Sequence, residues 1–186
     1  MKFALTLLLR AVLWGLAVCS IGFALLLFIS PGYAIWQCFF LAFGIVTIFL
    51  LRKTLAIRKR NNNAVISTFY GADFNPQSEL ILNRPYFGEY LGIDTTNGNI
   101  LMVSKLEKIV KGSNCKNLSG YECRGKDLTL KFNDLSFPFF KACFCSEKES
   151  MEYCHRLDVL LSAQYRPSKE SNIDFDSFVK NKLQTA

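Results

Sequence analysis

Cysteine and histidine are the side chains of this sequence best suited to chemistry, and four of them fall within residues 143–155. Thiolates and imidazoles are preferred zinc ligands, but common structural zinc sites place about two to four residues between paired cysteines. A single residue separates Cys143 from Cys145. In a strand these two side chains would share one face, and we expect that face to pack in the core.

The one histidine, His155, directly follows Cys154 in a segment of helical character. A catalytic Cys–His pair requires the two side chains to converge, whereas neighbours on a helix diverge by about 100°. We therefore expect a structural or surface histidine, with no catalytic residue and no metal. A membrane-bound thiol or zinc enzyme stays an alternative, although the Cys-x-x-Cys spacing of redox enzymes is absent.

The carboxylates give no better candidate for catalysis. Asp94, Asp127 and Asp134 each lie beside a predicted turn, where aspartate commonly accepts hydrogen bonds from its own backbone. No spacing places two carboxylates for general acid and base roles, and no glycine-rich segment has the strand and helix that flank a phosphate-binding loop. The sequence predicts a protein that is not an enzyme and uses no cofactor.

The formal net charge of +7 is concentrated in one part of the chain. Of the 22 Lys and Arg residues, seven lie in residues 1–60, which hold no Asp or Glu. Residues 61–186 carry 15 basic and 15 acidic residues and are therefore neutral. Nucleic-acid binding depends on positive charge, so we exclude a nucleic-acid partner.

The excess charge borders an apolar run, residues 11–51, without Asp, Glu, Lys or Arg. Ser30, Pro31 and Gly32 divide it into 11–29 and 33–51, each of 19 residues. At about 1.5 Å per residue, each can cross a hydrocarbon core of roughly 30 Å as a helix. Two buried helices of a soluble protein would need a polar face, which neither segment has. The pattern predicts a transmembrane hairpin, with the lipid bilayer as its partner.

A basic segment, RKTLAIRKR, follows the second span and predicts the orientation of the hairpin. Lys and Arg next to a span stay in the cytoplasm, and Lys2 and Arg10 are basic as well. We expect a multi-pass protein of the bacterial inner membrane with both termini cytoplasmic, oriented by Arg52, Lys53, Arg58, Lys59 and Arg60.

Two further features bear on the compartment. Residues 16–19 loosely resemble a lipoprotein cleavage site, and this alternative would move the soluble part across the membrane. Seven cysteines, two of them in the apolar run, make a weak disulfide framework, and five unpaired thiols suit a reducing cytosol.

The soluble part begins with a predicted connector at 61–88, followed by a domain at 89–166. EYLGID and NILMVS flank an Asn-Gly turn, the strongest short signal of a β-hairpin. Further strands are predicted in KLEKIVKG, NLSGYECRG, KDLTLKF and SFPFFKACF, the last at an edge because of Pro138. The hairpin tip is a candidate interaction surface that comprises Thr95, Thr96, Asn97, Gly98 and Asn99.

A helix closes the domain, because Ser146 and Glu149 match a capping box. Its predicted core stripe is Met151, Cys154, Leu157, Leu160 and Leu161. The polar tail, 167–186, contains a candidate short helix around Ile173, Phe175, Phe178 and Val179. The fold class is α+β: a transmembrane hairpin, then a small antiparallel sheet or partial barrel capped by a C-terminal helix, in the outline of pleckstrin-homology-like modules.

This order of elements, with YFGEYLGIDTTNGNILMV and LTLKFNDLSFPFFKACF in the soluble domain, resembles the entry-exclusion proteins of conjugative plasmids, ExcA type. The resemblance implies a non-enzymatic protein of the recipient's inner membrane that blocks redundant plasmid transfer. Its partner would be a membrane protein of the donor's conjugation apparatus. The alternative is a membrane-anchored regulatory or scaffold subunit that binds a resident protein or anionic lipid. Self-association of the chain stays open.

Overall fold

The computed structural model describes residues 2–27, 32–162, 165–169 and 174–185, and the chain is α+β. It divides into two compact units, Met1–Arg60 and Asn61–Ala186. Ser30 and Pro31 of the predicted turn, and Ile173 of the predicted tail helix, lie outside the described residues.

Two helices precede the first strand. Helix α1 is Lys2–Leu27 and helix α2 is Ala34–Ser67, so α2 continues well past residue 51. Arg, Lys, Leu and Ala are good helix formers, and no Gly or Pro occurs between Gly44 and Gly71 to end the helix. The predicted connector, 61–88, contains the end of α2, a 3-10 turn at Ser78–Leu80 and the first strand.

The first sheet is an antiparallel meander of four strands in chain order: β1 Ile81–Arg84, β2 Glu89–Asp94, β3 Asn99–Ser104 and β4 Ile109–Asn114. Within this sheet, β2, β3 and β4 begin ten residues apart. Each four-residue turn ends at a residue with positive φ: Gly88 (75°), Gly98 (71°) and Lys108 (58°). The predicted EYLGID–NILMVS hairpin is confirmed, and it pairs Asp94 with Asn99.

The second sheet has three antiparallel strands, β5 Leu118–Arg124, β6 Asp127–Phe132 and β7 Phe139–Cys143, with β7 at an edge. Helix α3, Glu147–Leu161, follows, and helix α4, Phe175–Thr185, lies in the predicted tail. Ser146 caps α3 by accepting a hydrogen bond from the Glu149 N–H at 3.2 Å, while the Glu149 carboxylate accepts from the Cys145 N–H. The prediction of one sheet is corrected to two.

The main core lies between the two sheets and α3. Cys154, Leu157 and Leu160 are buried there as predicted, but Met151 and Leu161 are exposed. Tyr153 takes a place in the core instead, and its hydroxyl donates to the Leu80 carbonyl at 3.1 Å. Residues 154, 157 and 160 are three positions apart and 153 lies four before 157, which keeps all of them on one face of α3.

A second core covers the opposite face of the first sheet. The sheet contributes Tyr90, Leu101 and Val103 to this core. The side chains that pack on them are Ile66 at the end of α2, Phe69, Phe74, and Phe175 and Val179 of α4. Burial on both faces explains why β2 and β3 are almost continuously apolar, because neither face meets water.

Candidate functional site

The first unit exposes large apolar side chains along both helices. The exposed side chains include Trp14 and Phe23 in α1, and Ile35, Ile45 and Phe49 in α2. Soluble proteins rarely expose contiguous apolar surface of this extent. Among the described helices, one is long enough and apolar enough to cross a membrane, Ile35–Ser67, while the described apolar part of α1 is the shorter Ala11–Leu27.

Small residues line the contact between α1 and α2 within the first unit. Ala17, Ser20 and Ala24 of α1 are buried, and a Cβ added at Gly44 of α2 would lie 3.1 Å from the Ser20 hydroxyl. The Phe23 and Phe40 rings stack nearby, with their centroids 5.7 Å apart. Small residues let helix backbones approach closely, and such contacts are common between membrane helices.

The hydroxyls at this contact are satisfied inside their own helices. Ser20 donates to the Ala17 carbonyl at 3.0 Å, and Thr47 donates to the Gly44 carbonyl at 2.8 Å. The Gln37 side chain donates to the carbonyl of Leu27 at the end of α1. These polar groups therefore have hydrogen-bond partners within the protein and do not need water as a partner. This is the condition that polar groups must meet in the hydrocarbon core of a membrane.

The predicted basic residues all lie in α2. Arg52 and Lys59 are seven residues apart, as are Lys53 and Arg60, and two helical turns bring each pair to nearly the same side. Those four side chains are exposed, while Arg58 is half-buried and points to the other side of the helix. The segment is thus a basic stripe along one face of α2.

The predicted interaction surface at the β2–β3 turn is largely inaccessible. Thr96 is exposed and Thr95 is half-buried, but Asn97, Gly98 and Asn99 are buried. The cause lies partly in the turn itself, where the buried carboxylate of Asp94 accepts from the N–H groups of Thr96 at 2.8 Å and Asn97 at 3.2 Å. The prediction of an exposed tip is wrong for these three residues.

Two neighbouring segments complete this enclosure. The Asn97 and Asn99 side chains donate to the carbonyls of Ala72 (3.1 Å) and Asp73 (2.8 Å). On the C-terminal side, the Tyr165 hydroxyl donates to the Thr95 carbonyl at 2.7 Å. The β2–β3 turn is therefore fixed by hydrogen bonds to residues 72–73 on one side and to Tyr165 on the other.

The opposite end of the first sheet carries the exposed apolar turns. Tyr86 and Phe87 in the β1–β2 turn, and Leu106 in the β3–β4 turn, are exposed. The two turns touch, since the Lys105 N–H donates to the Gly88 carbonyl at 3.0 Å. Sequence reasoning missed this surface, although a Tyr-Phe pair between Pro85 and Gly88 is an unusual content for a solvent-exposed turn.

An open cleft of about 670 Å³ lies between the β3–β4 turn and the outer face of the second sheet. Its charges are of both signs, and Glu122 pairs with Arg124 at 2.6 Å and with Lys131 at 3.5 Å. The hydrogen bond from Arg124 is the main cause that lowers the pKa of Glu122. Burial raises the pKa of the Cys143 thiol on the cleft wall, which keeps it protonated and poorly nucleophilic.

The cysteines do not assemble with His155. Cys143 is half-buried and Cys145 exposed, because Phe140, Ala142 and Phe144 occupy the core face of this segment. The core position predicted for Cys143 and Cys145 is therefore wrong. His155 is exposed on α3 and its Nδ1 lies 3.8 Å from an Asp158 oxygen.

A disulfide pairs two of the five thiols expected to be free. It joins Cys123 of β5 to Cys154 of α3. Cys115, also in the second unit, is a free thiol whose pKa is raised to about 12, first by burial and then by the charge of Asp94. Across the described ranges, no three His, Cys, Asp or Glu side chains lie where they could hold a metal ion.

No protein-family model matches this chain, and no curated protein matches it. Its function must therefore be inferred from its own residues.

Proposed function

We propose that this chain is a membrane-tethered recognition protein. In this proposal α1 and α2 cross the bilayer as a helical hairpin and hold the second unit at the membrane surface. The observation that carries the proposal is the apolar surface of α2, exposed everywhere except along its contact with α1 and followed directly by the basic stripe. Lipid is the solvent that makes such a surface stable, because apolar area in water costs about 25 cal/mol per Å².

The dimensions of α2 support a spanning role. From Ile35 to Leu51 the helix rises about 24 Å, and anchoring groups stand at each end of that stretch. Trp36 and Tyr33 lie at one end, where aromatic side chains favour the interface, and Arg52 and Lys53 lie at the other. The small-residue contact between α1 and α2 supports a hairpin rather than a single span.

The proposed orientation places both termini in the cytoplasm at the bacterial inner membrane. The basic stripe favours it through the positive-inside rule. In a reducing cytosol we expect Cys123 and Cys154 to be held side by side as thiols, whereas an oxidising compartment would keep them joined. A cytosol-dependent reporter fused after Ala186 tests the side; activity only of a reporter that works outside the cytosol would overturn this orientation.

The concrete form of the proposal is plasmid entry exclusion in a recipient cell. It rests on the resemblance to the entry-exclusion proteins and on the membrane-tethered arrangement. A cytosolic second unit would meet a donor protein only if part of that protein is delivered across the envelope; otherwise the connection at 30–32 would make the contact.

A conjugation assay tests entry exclusion. Expression of this chain alone in recipients should lower the acquisition of one plasmid type, and an Arg52→Glu, Lys53→Glu, Lys59→Glu, Arg60→Glu variant should lose the effect because its orientation signal is reversed. Lys148→Glu, which reverses an exposed charge on α3 outside the stripe, is the control. Unchanged transfer frequencies across a panel of donors would refute exclusion.

The second candidate is a membrane-anchored regulatory or scaffold subunit. The basic stripe favours it, since each cationic side chain near anionic lipid contributes about 1 kcal/mol. We also propose a pleckstrin-homology-like outline for the second unit; its order of four strands, three strands and a helix supports this, although a fold does not fix a function. Cross-linking in plasmid-free cells should then recover a stable resident partner, and recovery of none would remove this candidate.

A further inference from the structure

We infer that one end of the four-stranded sheet rests on the same membrane that α1 and α2 span. We call it the proximal end and define it by the β1–β2 turn, 85–88, and the β3–β4 turn, 105–108. Tyr86, Phe87 and Leu106 would enter the headgroup layer there, with the lipid surface as their partner. This inference rests on the proposed membrane anchoring.

The proximal end is clasped to the last turns of α2 within the second unit. The buried Asn62 side chain donates to the carbonyl of Pro85 and accepts from the ammonium group of Lys105. One amide therefore holds both turns. The direct bond from the Lys105 N–H to the Gly88 carbonyl closes the clasp.

Chain connectivity keeps this clasp near the basic stripe. Asn62 is two residues after Arg60, so the two cannot be more than about 8 Å apart, whatever angle the units adopt. In the proposed span the hydrocarbon core ends near Leu51, so Asn62 lies at most about 16 Å beyond it along α2, and a tilted helix brings it closer. The proximal end is thus tethered close to the headgroup layer.

The exposed side chains at this end are of the type that the membrane interface favours. Tyrosine rings, which have one polar edge, concentrate there, as in Tyr86, and Phe87 and Leu106 are the apolar types that interfacial segments bury. Phe87 is held in place, because the Arg84 guanidinium lies 4.3 Å from the ring centroid. Arg84 is itself fixed by the Cys143 carbonyl at 2.8 Å and by the Glu89 carboxylate at 3.2 Å.

The opposite end of the sheet lacks this character, since its β2–β3 turn exposes only threonine. Leu135, fully exposed in the β6–β7 turn, also lies away from the proximal end. Its neighbour Asn133 donates from its N–H to the carbonyl of Asn117, just past the far end of β4. Leu135 is therefore a matched control for an exposed apolar turn residue that the inference keeps in water.

Brominated lipids, which quench tryptophan at short range, provide the test in full-length protein reconstituted into vesicles. In a Trp14→Phe, Trp36→Phe background, Phe87→Trp should lose at least half of its emission in brominated vesicles, while Leu135→Trp should keep its emission. Tyr86→Trp repeats the measurement if Phe87→Trp folds poorly. Equal quenching at 87 and 135, or none at 87, would overturn the inference.

The unmodified chain separates this inference from the proposed function. Its native tryptophans, Trp14 and Trp36, both lie in the helices proposed to span the bilayer. Strong quenching of these two with none at position 87 refutes contact at the proximal end alone. Absence of quenching at Trp14 and Trp36 refutes the membrane anchoring itself.

Discussion

Phe49 in α2 is 65% exposed, whereas Phe140 in β7 is 1% exposed. The first unit displays most of its large apolar side chains, while the second unit buries most of its own in its cores. The same residue types therefore have different surroundings in the two units. In the proposed arrangement lipid surrounds them in the first unit, and the protein's own core surrounds them in the second. Two features of the sequence distinguish the first unit: its higher apolar content and the absence of any acidic residue up to Arg60.

The largest expected effect comes from opening a cavity in the second unit. Leu157 is fully buried in the main core, and Leu157→Ala should lower the free energy of unfolding of this unit by about 2 to 5 kcal/mol. Pulse proteolysis in a urea series measures it on detergent-solubilised protein. Val159→Ala on the exposed side of the same helix should change it by less than about 0.5 kcal/mol. Equal losses for both variants would mean that α3 does not face the core as described.

A second change tests the contact inside the first unit. A side chain at Gly44 would collide with Ser20 and with Ile21, 3.2 Å away, so Gly44→Leu should destabilise the α1–α2 contact by about 1 to 3 kcal/mol. Helical circular dichroism during titration with a denaturing detergent measures this loss. Gly22→Leu is the control, because nothing lies within 4 Å of its added Cβ. A Gly22→Leu loss as large as that of Gly44→Leu would contradict the contact.

Cysteine labelling compares the surroundings of the two units directly. Cys38 in α2 and Cys145 before α3 are both exposed free thiols. Lipid around Cys38 would exclude a charged maleimide, so in open membrane fragments Cys145 should react at least about tenfold faster. Mass spectrometry of the labelled peptides gives both rates. Comparable rates before detergent is added would show that water reaches α2.

The smallest expected effect concerns the backbone of the β3–β4 turn in the first sheet. Lys108 occupies the position that Gly88 and Gly98 take in the other turns, and its left-handed backbone costs about 1 to 2 kcal/mol relative to glycine. Glycine also makes the unfolded chain more flexible, which offsets roughly 0.4 to 1 kcal/mol. Lys108→Gly should therefore stabilise the second unit by about 0.5 kcal/mol in the same urea assay. Gly98→Ala should act in the opposite direction, because its added Cβ would also lie 3.3 Å from Pro167.

Local signals in the sequence were enough to predict several elements. Asn97-Gly98 predicted the β2–β3 hairpin, Ser146 predicted the start of α3, and Pro138 predicted an edge strand, because each depends on backbone chemistry within a few residues. The end of α2 was predicted too early, since the apolar pattern marks a change of surroundings and not the end of a helix.

Long-range contacts were beyond this reasoning. The burial of Asn97 and Asn99 depends on segments at residues 72–73, and the Tyr165 contact on one about 70 residues away. Asn62 joins the two turns of the proximal end through hydrogen bonds that span 23 and 43 residues of the chain, which no local pattern predicts. The ten-residue spacing of β2, β3 and β4 is likewise not visible in the sequence, because the geometry of the turns repeats and the identity of their residues does not.

Membrane anchoring by α1 and α2 is the central claim, and extraction of cell membranes tests it most directly. After an alkaline carbonate wash that strips peripheral proteins, the full-length chain should stay in the membrane pellet and should enter solution only with detergent. Release of the intact chain into the aqueous fraction by the carbonate wash alone would contradict the claim.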